Sequence, residues 1–255
     1  MIIFPYAKIN IGLHITGKRA DGYHNIETVL YPLKISDALE IIPSSGPALE
    51  FTLTDEDGLV AGEDNLCVKA YRALEKAYSL SPVKMHLHKN IPSGAGLGGG
   101  SSDAAHTLAL LNQLFELKLS KDKLQEHARL LGSDCAFFLE NRPVFASGRG
   151  DELSPAELDL GAYCITVVMP RLKVATAAAY AEARPRQPAA SLQEQLQIPP
   201  GEWRETVKND FEESVFEKFP GIASVKETLY SYGAEYASMS GSGAAVYGIF
   251  REKTE

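Results

Sequence analysis

Pro92-Ser-Gly-Ala-Gly-Leu-Gly-Gly-Gly-Ser-Ser-Asp-Ala-Ala105 contains five glycines within seven residues. Glycine allows positive φ and lets a ligand approach the backbone closely. Apolar residues at helical spacing follow the glycines, namely Ala104, Leu108, Leu111 and Phe115, with Ala105 beside them. They predict a helix directly after the loop. The free N–H groups and the positive dipole end of that helix suit an anion, so the sequence predicts a phosphate-binding loop.

The start of this helix is predicted at Ser101, Ser102 or Asp103, because each of these residue types can cap a helix. A flexible linker is the other interpretation of a glycine-rich stretch. It is disfavoured because Pro92 and an apolar helix bound the stretch.

Other phosphate loops fit this stretch less well. Gly94, Gly96 and Gly99 satisfy G-x-G-x-x-G. In a dinucleotide fold, however, a strand runs directly into the first glycine, and an acidic residue follows at a later strand end. Residues 89–92 interrupt that join, and residues 115–119 still have a helical pattern. The Gly-Lys-Ser/Thr triplet of the P-loop and the H-R-D, D-F-G and A-P-E motifs of protein kinases do not occur.

The segment 6–15 alternates apolar residues with Lys8, Asn10, Gly12 and His14. This alternation predicts a half-buried strand with Lys8 and Asn10 side by side on the face opposite the apolar one. An ammonium and an amide there could hold a polar substrate. A solvated strand face is the alternative, and this segment alone favours it.

Asp134 is the only charged residue between Leu131 and Leu139. Helix capping is one interpretation of this carboxylate, and a general base is the other. Further along the chain, a Ser-Gly-Ser-Gly turn at 240–243 precedes a strand pattern. Its glycines would let a second backbone segment pack beside the first loop.

Apolar spacing predicts further helices over 66–77 and 121–131, and it predicts a buried strand over 163–169. His86 and His88 share one face of another predicted strand. Two imidazoles do not complete a metal site, so an exposed strand face is the preferred interpretation.

Three motifs together resemble those of the GHMP small-molecule kinases: P-x-A-K-x-N at 5–10, P-x-x-x-G-L-G-G-G-S-S at 92–102 and S-G-S-G at 240–243. The resemblance spans nearly the whole chain. It implies an α+β fold with two domains and the site between them. Residues 1–154 would form an ATP-binding domain similar to the second domain of ribosomal protein S5. Residues 155–255 would form a ferredoxin-like domain, which we expect to be shortened because the chain ends soon after the strand pattern at 246–250.

Together with Arg19-Ala-Asp-Gly-Tyr-His24, the resemblance implies ATP-dependent phosphorylation of the 2-hydroxyl of a cytidine-diphosphate-linked methylerythritol, a step of non-mevalonate isoprenoid precursor synthesis. Asp134 would accept the hydroxyl proton, and Lys8 would hold Asp134 and the hydroxyl in reach. Phosphoryl transfer depends mainly on such alignment and on charge stabilisation.

The resemblance also implies two sets of binding residues. For ATP these are Asn65, Leu66 and Lys89 on the adenine side, and Pro92, Gly94, Ala95, Gly96, Leu97, Gly98, Gly99, Gly100, Ser101 and Ser102 in the loop. For the cytidyl substrate they are Asn10, Tyr23, His24, Thr176 and Tyr180. No metal ligand of the protein itself is predicted. Mg²⁺ is expected to arrive with ATP and to touch Ser101 or Ser102, because phosphates supply most of its ligands.

Three alternatives remain beside this assignment. One is another kinase of the same superfamily, such as a homoserine kinase, which would need no base at Asp134, or a mevalonate kinase. A second is a nucleotide-binding module without catalysis, which the presence of both Lys8 and Asp134 disfavours. The third is a dinucleotide-dependent oxidoreductase, which the interrupted strand-to-glycine join disfavours.

Composition limits the partners and the compartment. The 255 residues carry 25 basic and 33 acidic side chains, and the resulting net charge of −8 argues against a nucleic-acid partner. Cys67, Cys135 and Cys164 lie in apolar surroundings and are predicted to be reduced core residues of a cytoplasmic protein. Neither a basic leader nor eighteen consecutive apolar residues occur, so we expect no membrane insertion. The sequence assigns no oligomeric state.

Overall fold

The structure is a computed structural model that describes residues 1–54, 62–172, 174–188 and 190–251. In chain order its elements are β1 (Ile2–Ile3), β2 (Tyr6–Lys18), β3 (His24–Ser36), β4 (Ala38–Pro43), β5 (Glu50–Thr54), α1 (Leu66–Tyr78), β6 (Val83–His88), α2 (Gly99–Leu114), α3 (Lys121–Leu131), α4 (Cys135–Glu140), β7 (Val144–Ser147), β8 (Glu152–Pro155), β9 (Tyr163–Val168), α5 (Thr176–Ala181), α6 (Leu192–Gln195), a short 3-10 helix (Pro200–Glu202), α7 (Glu212–Lys218), α8 (Pro220–Ser231), β10 (Tyr236–Met239) and β11 (Val246–Arg251). This mixture of helices and mainly antiparallel sheets confirms the predicted α+β fold class.

The chain divides into two compact units, and each is built from separate stretches of sequence. Unit 1 comprises Met1–Lys8, Pro32–Ser93 and Gly98–Arg142. Unit 2 comprises Ile9–Tyr31, Gly94–Leu97 and Pro143–Glu255. The boundary between residues 154 and 155 stays a prediction, and the last four residues of that predicted C-terminal domain lie outside the described part of the chain.

Unit 1 combines a four-stranded sheet, in the order β1-β4-β6-β5, with helices α1 to α4. Strands β5 and β6 are parallel, and α1 lies between them in the chain. Helix α2 packs against α1, α3, α4 and strand β4. Because it has neighbours on most sides, α2 buries residues around most of its circumference, including Ala104, Leu108 and Leu111.

Two helices of unit 1 begin and end close to where the sequence predicts. The Asn65 side chain accepts the N–H of Cys67 and so caps α1, and the Ser120 hydroxyl accepts the N–H of Lys123 and caps α3. Each bond satisfies one of the N–H groups that a helix start leaves unpaired. The predicted helices over 66–77 and 121–131 are confirmed.

Unit 2 contains a three-stranded sheet in the order β10-β11-β9 and most of a second sheet in the order β2-β3-β7-β8. Helix α8 packs on β10 and β11. A buried apolar cluster forms the core of this unit, and its members include Ile15, Phe211, Ile222, Met239 and Val246.

The predicted start of α2 is wrong. The helix begins at Gly99, and Gly98 occupies the cap position with φ +70°, so Ser101, Ser102 and Asp103 all lie inside the helix. The left-handed conformation of Gly98 turns the chain into the helix earlier than a serine or aspartate cap would. Asp103 instead pairs with Lys89.

Strand β2 is buried on both faces, whereas its alternating pattern predicts a half-buried strand. The side chains opposite its apolar face have polar partners: the Asn10 amide donates to the Thr28 hydroxyl at 3.0 Å, and His14 Nε2 lies 3.4 Å from Gln195 Oε1. Such pairing offsets the cost of burying polar groups.

Two smaller predictions also fail on burial. The strand predicted over 163–169 exists as β9, but its residues are half-buried or exposed because it is an edge strand of its sheet. Cys164 on this strand is exposed, unlike the buried Cys67 and Cys135. The exposed face predicted for His86 and His88 is confirmed on β6.

The central position of α2 makes its apolar residues important for stability. Leu108 is fully buried on α2, whereas Leu130 on α3 is 84% exposed. We expect Leu108→Ala to lower the free energy of unfolding by about 2–5 kcal/mol, through lost burial and the cavity left behind. The matched change Leu130→Ala should alter it by less than about 0.5 kcal/mol. Urea unfolding of the two variants measures the difference, and equal effects would contradict this account of the core.

Candidate active site

The start of α2 presents backbone N–H groups that no acceptor within the helix can satisfy. The first helical bond runs from the N–H of Ser102 to the carbonyl of Gly98, at 2.9 Å. The N–H groups of Gly99, Gly100 and Ser101 precede that bond and lie at the positive end of a 16-residue helix. This is the arrangement that binds a phosphate group.

Lys8 and Asp134 lie beside this helix start within unit 1. A Cβ atom added to Gly98 would come within 3.1 Å of Lys8 Cε and 2.8 Å of a ring carbon of Phe138. Lys8 Nζ lies 3.5 Å from Asp134 Oδ2. The Lys8 side chain is 5% exposed and that of Asp134 is 33% exposed. The pair therefore combines a buried cation with a carboxylate that an entering molecule can reach.

Asp134 precedes α4, but its carboxylate makes no capping bond to the backbone of that helix. The capping interpretation of Asp134 is therefore wrong, and the general-base interpretation stays a prediction. The neighbouring Cys135 is no rival base, because burial raises the pKa of its thiol to about 11. At neutral pH this thiol stays protonated.

The residues predicted for the adenine side also lie in unit 1. Asn65 caps α1, and α1 packs against α2. A Cβ on Gly100 would lie 3.8 Å from Leu66 Cδ1, so Leu66 is next to the first turn of α2. The Lys89 ammonium binds the carboxylates of Asp37 and Asp103.

The two serines of the loop motif differ in access. Ser102 is fully buried, and its Oγ lies 3.4 Å from His106 Nδ1. Ser101 is half-buried. The described residues contain no group of three or more side chains that could hold a metal ion by themselves. A glycine-rich loop and the half-buried hydroxyl of Ser101 suit a triphosphate that brings its own Mg²⁺.

In unit 2, the turn at 240–243 packs against residues 94–97 of the loop, as its glycines predict. The Ser240 hydroxyl donates to the Gly96 carbonyl at 2.8 Å, and the N–H of Ala245 donates to the Ala95 carbonyl at 3.0 Å. The Asn10 N–H in turn donates to Ser240 Oγ at 3.2 Å. Residues 240–245 therefore hold this half of the loop, and Asn10, which is distant from both in sequence, holds the turn.

The residues predicted to bind the cytidyl substrate belong to unit 2. The rings of His24 and Tyr180 stack with centroids 5.2 Å apart and an interplanar angle of 19°. Tyr23 is 58% exposed, and the Arg149 guanidinium lies over its ring at 5.1 Å. Thr176 Oγ1 lies 3.1 Å from Ser242 Oγ. The exposed ring of Tyr23 offers a flat surface that can receive a flat base.

Sequence reasoning missed Asp37 and Asp103 as partners of Lys89. They lie 52 residues before and 14 residues after the lysine, and all three side chains are buried. No spacing rule links residues at such distances. Only the isolated charge of Asp103 among small and apolar residues could have indicated a buried ionic partner.

The amino-acid sequence matches a known protein family. Residues 65–142 match the family profile described as GHMP kinases N terminal domain, and residues 192–255 match that described as GHMP kinases C terminal. The 4-diphosphocytidyl-2-C-methyl-D-erythritol kinase of Bacteroides thetaiotaomicron is 52% identical over 252 residues, which cover 98% of this chain and 92% of that protein. Its Bacteroides fragilis counterpart is 50% identical over 252 residues, with the same coverage of 98% and 92%.

The chain belongs to the 4-diphosphocytidyl-2-C-methyl-D-erythritol kinase family of the GHMP kinases. A crystal structure of a 4-(cytidine 5'-diphospho)-2C-methyl-D-erythritol kinase matches it with a TM-score of 0.82 and 33% identity, over 98% of this chain and 90% of that one. Membership of this kinase family makes the protein an ATP-dependent small-molecule phosphotransferase and confirms the two-domain GHMP fold. Within the described ranges of the chain, no helix has both the length and the apolar character needed to cross a bilayer.

The contacts of the loop predict unequal effects of two glycine substitutions in this kinase. Gly94 and Gly96 have φ of +73° and +79°. A Cβ on Gly94 meets nothing within 4 Å, whereas one on Gly96 would overlap the Ser240 carbonyl oxygen. Gly94→Ala should lower the free energy of unfolding by about 1 kcal/mol, through backbone strain alone. Gly96→Ala should lower it by about 1–3 kcal/mol more, because the backbone of the turn must move. Urea unfolding tests this order, and equal losses would refute the close approach at Gly96.

Proposed function

We propose that this protein transfers the γ-phosphoryl group of ATP to the 2-hydroxyl of 4-diphosphocytidyl-2-C-methyl-D-erythritol, in non-mevalonate isoprenoid precursor synthesis. The observation that carries the proposal is the contact between Lys8 Nζ and Asp134 Oδ2, 3.5 Å apart beside the start of α2. The near full-length similarity to relatives that carry this kinase name supports the choice of substrate.

Asp134 acts as the general base in this proposal. Its carboxylate accepts the proton of the substrate hydroxyl while the hydroxyl oxygen attacks the γ-phosphorus and ADP leaves. The Lys8 ammonium holds the carboxylate and draws the hydroxyl oxygen into line. Because Lys8 is buried against Gly98, its position is set before any ligand enters. Positioning of this kind is the main contribution that phosphoryl transfer needs from a protein.

The start of α2 acts as the phosphate site. Its N–H groups donate to phosphate oxygens, and the residues from Pro92 to Ser102 allow the close approach. Mg²⁺ bound to the phosphates would neutralise their charge, and the half-buried Ser101 hydroxyl would be more accessible to it than that of the buried Ser102. Asn65 and Leu66 are assigned to the adenine side, whereas the Lys89 ammonium lies against Gly99, at the start of α2.

The cytidyl group is assigned to unit 2. Tyr23, His24 and Tyr180 supply the aromatic surfaces for the cytosine, while Asn10 and Thr176 supply polar contacts. Since His24 and Tyr180 stack directly on each other, a base that enters between them has to separate the two rings. A base that binds against the exposed Tyr23 ring would find one face already covered by Arg149. We also propose a cytoplasmic location, because all three cysteines are free thiols.

The direct test is ADP release from Mg-ATP with 4-diphosphocytidyl-2-C-methyl-D-erythritol, run beside homoserine, mevalonate and a reaction without acceptor. We expect release with the cytidyl alcohol alone. Release with another alcohol would keep the kinase activity and refute the assigned substrate. ATP binding without release in any reaction would instead favour a nucleotide-binding module.

Removal of the proposed base should separate chemistry from nucleotide binding. We expect Asp134→Asn to lower kcat about 10²- to 10⁴-fold, because the amide cannot accept the proton. The affinity for ATP should stay unchanged, as measured by equilibrium binding. Asp122→Asn is the control, since Asp122 is an exposed aspartate near the start of α3. Near-normal turnover of the Asp134 variant would exclude this residue as the base.

A further inference from the structure

Three charged side chains form a buried cluster beside the start of α2, all within unit 1. The Lys89 ammonium donates to the Asp37 carboxylate and, at 2.7 Å, to Asp103 Oδ2. The side chains of Lys89, Asp37 and Asp103 are only 6%, 0% and 3% exposed. The cluster therefore joins the residue that follows β6, the residue that precedes β4, and α2.

The cluster holds the chain where it enters the glycine-rich loop. Asp37 Oδ1 accepts the N–H groups of Asn90 and Ile91 at 2.6 and 2.8 Å. These two residues immediately precede Pro92. Asp37 thus binds Lys89 with one oxygen and fixes the next two backbone units with the other.

The same cluster holds the chain where it leaves the loop. Asp103 lies at the beginning of the second turn of α2 and is tied to Lys89. A Cβ on Gly99 would lie 3.0 Å from Lys89 Nζ and 2.9 Å from Ile91 Cγ2. The first residue of the helix therefore lies directly against the ammonium, and a side chain at this position would push the two apart.

The cluster is costly to bury. Burial raises the pKa of Asp103 to about 7, and the neighbouring Asp37 charge acts in the same direction, while the Lys89 charge opposes both. Among the residues that the structure describes, Asp103 Oδ1 has no hydrogen-bond partner. A buried ion cluster is often no more stabilising than apolar side chains of similar volume. Its benefit here is the position it imposes on both ends of the loop.

We propose that the cluster of Lys89, Asp37 and Asp103 preorganises the phosphate-binding loop, with Lys89 as a positioning residue that acts through the loop and not through contact with adenine. The inference rests on the proposed function only in assigning phosphate to the loop. A glycine-rich loop loses much conformational entropy when it becomes ordered. Clamping both ends in the free protein removes part of that cost before a ligand binds.

Two partial ligands separate binding at the phosphate loop from binding at the adenine site. Mg-tripolyphosphate supplies phosphates without adenine, and adenosine supplies adenine without phosphates. Their affinities are measured by competition with ATP for wild type, Lys89→Met and Asp103→Ala. Lys84→Met is the matched control, because Lys84 lies on β6 and forms an exposed ion pair with Glu50.

We expect both cluster variants to weaken tripolyphosphate binding about tenfold or more, because loop ordering then becomes part of the binding cost. Adenosine affinity should stay within about twofold of wild type in both variants, and the control should bind both ligands normally. If Lys89→Met loses affinity for adenosine but keeps its affinity for tripolyphosphate, the inference is overturned in favour of a direct contact between Lys89 and adenine. Unchanged binding of both ligands would also overturn it.

The two aspartate variants, Asp103→Ala and Asp103→Asn, separate positioning from simple loss of folding. Lys89→Met leaves two buried carboxylates without a cation, whereas Asp103→Ala keeps the pair of Lys89 and Asp37, so the latter decides the question if the former does not fold. Asp103→Asn retains an oxygen that accepts from Lys89, and it should restore tripolyphosphate affinity relative to Asp103→Ala. Equal losses of tripolyphosphate affinity in the Asn and Ala variants would refute a positioning role for the contact between Asp103 and Lys89.

The identity of the phosphorylated alcohol and the role of the cluster can be tested independently of each other. Wild-type protein that binds tripolyphosphate but phosphorylates a different alcohol would revise the proposed function and leave the role of the cluster intact. Wild-type protein that binds adenosine but no tripolyphosphate would refute the cluster's role, whatever alcohol it phosphorylates.

Discussion

Gly98, which caps α2, and Gly99, its first residue, lie so close to their neighbours that a side chain at either position would push those neighbours away. A Cβ on Gly98 would come within 3.1 Å of the Lys8 side chain, and one on Gly99 within 3.0 Å of the Lys89 ammonium. Two lysines therefore reach the positive end of one helix, although the dipole of the helix alone would repel them. Carboxylates resolve this conflict, because each lysine is paired with an aspartate from another part of unit 1.

The two lysine sites differ in exposure, and this difference separates their roles. Lys89 lies between two carboxylates that are at most 3% exposed, so neither oxygen pair is open to an entering molecule. Asp134 is 33% exposed beside a nearly buried Lys8. A group that takes a proton from a substrate must be reachable, and a group that holds a loop must not move. Lysine and aspartate are thus available for reaction at Lys8 and Asp134, and they fix the loop at the cluster around Lys89.

Local patterns in the sequence predict much of this arrangement. The glycine-rich loop, the helices over 66–77 and 121–131 and the approach of the turn at 240–243 all follow from short-range rules of spacing and glycine geometry. The start of α2 does not, because the residue types that commonly cap helices favour Ser101, Ser102 or Asp103, whereas Gly98 takes the cap position with φ +70°. The prediction that β2 is half-buried fails because its polar side chains have partners that are distant in sequence. Thr28, which accepts from the Asn10 amide, lies 18 residues away from Asn10.

In the candidate site, too, short motifs reveal some of the residues, whereas the contacts between them depend on tertiary packing. Lys8 and Asp134 can be found from the resemblance of short motifs, but their contact joins residues that are distant in sequence. The cluster around Lys89 has no such motif, because Asp37 lies 52 residues from the lysine. Tertiary packing decides these pairs, and a pattern of residue types along one chain segment contains no information about which distant segment will cover it.

The backbone at Asp134 explains why its carboxylate is available at all. Asn65 and Ser120 precede their helices in extended conformations, with ψ of 133° and 162°, and both side chains turn back to accept a helix N–H. Asp134 precedes α4 with φ −78° and ψ −13°, which is already helical, and it makes no such bond. A capping side chain reaches the N–H groups of the first turn from an extended backbone. The helical conformation of Asp134 points its carboxylate away from them, toward Lys8 and solvent, so a carboxylate at a helix start is available for chemistry here instead of for capping.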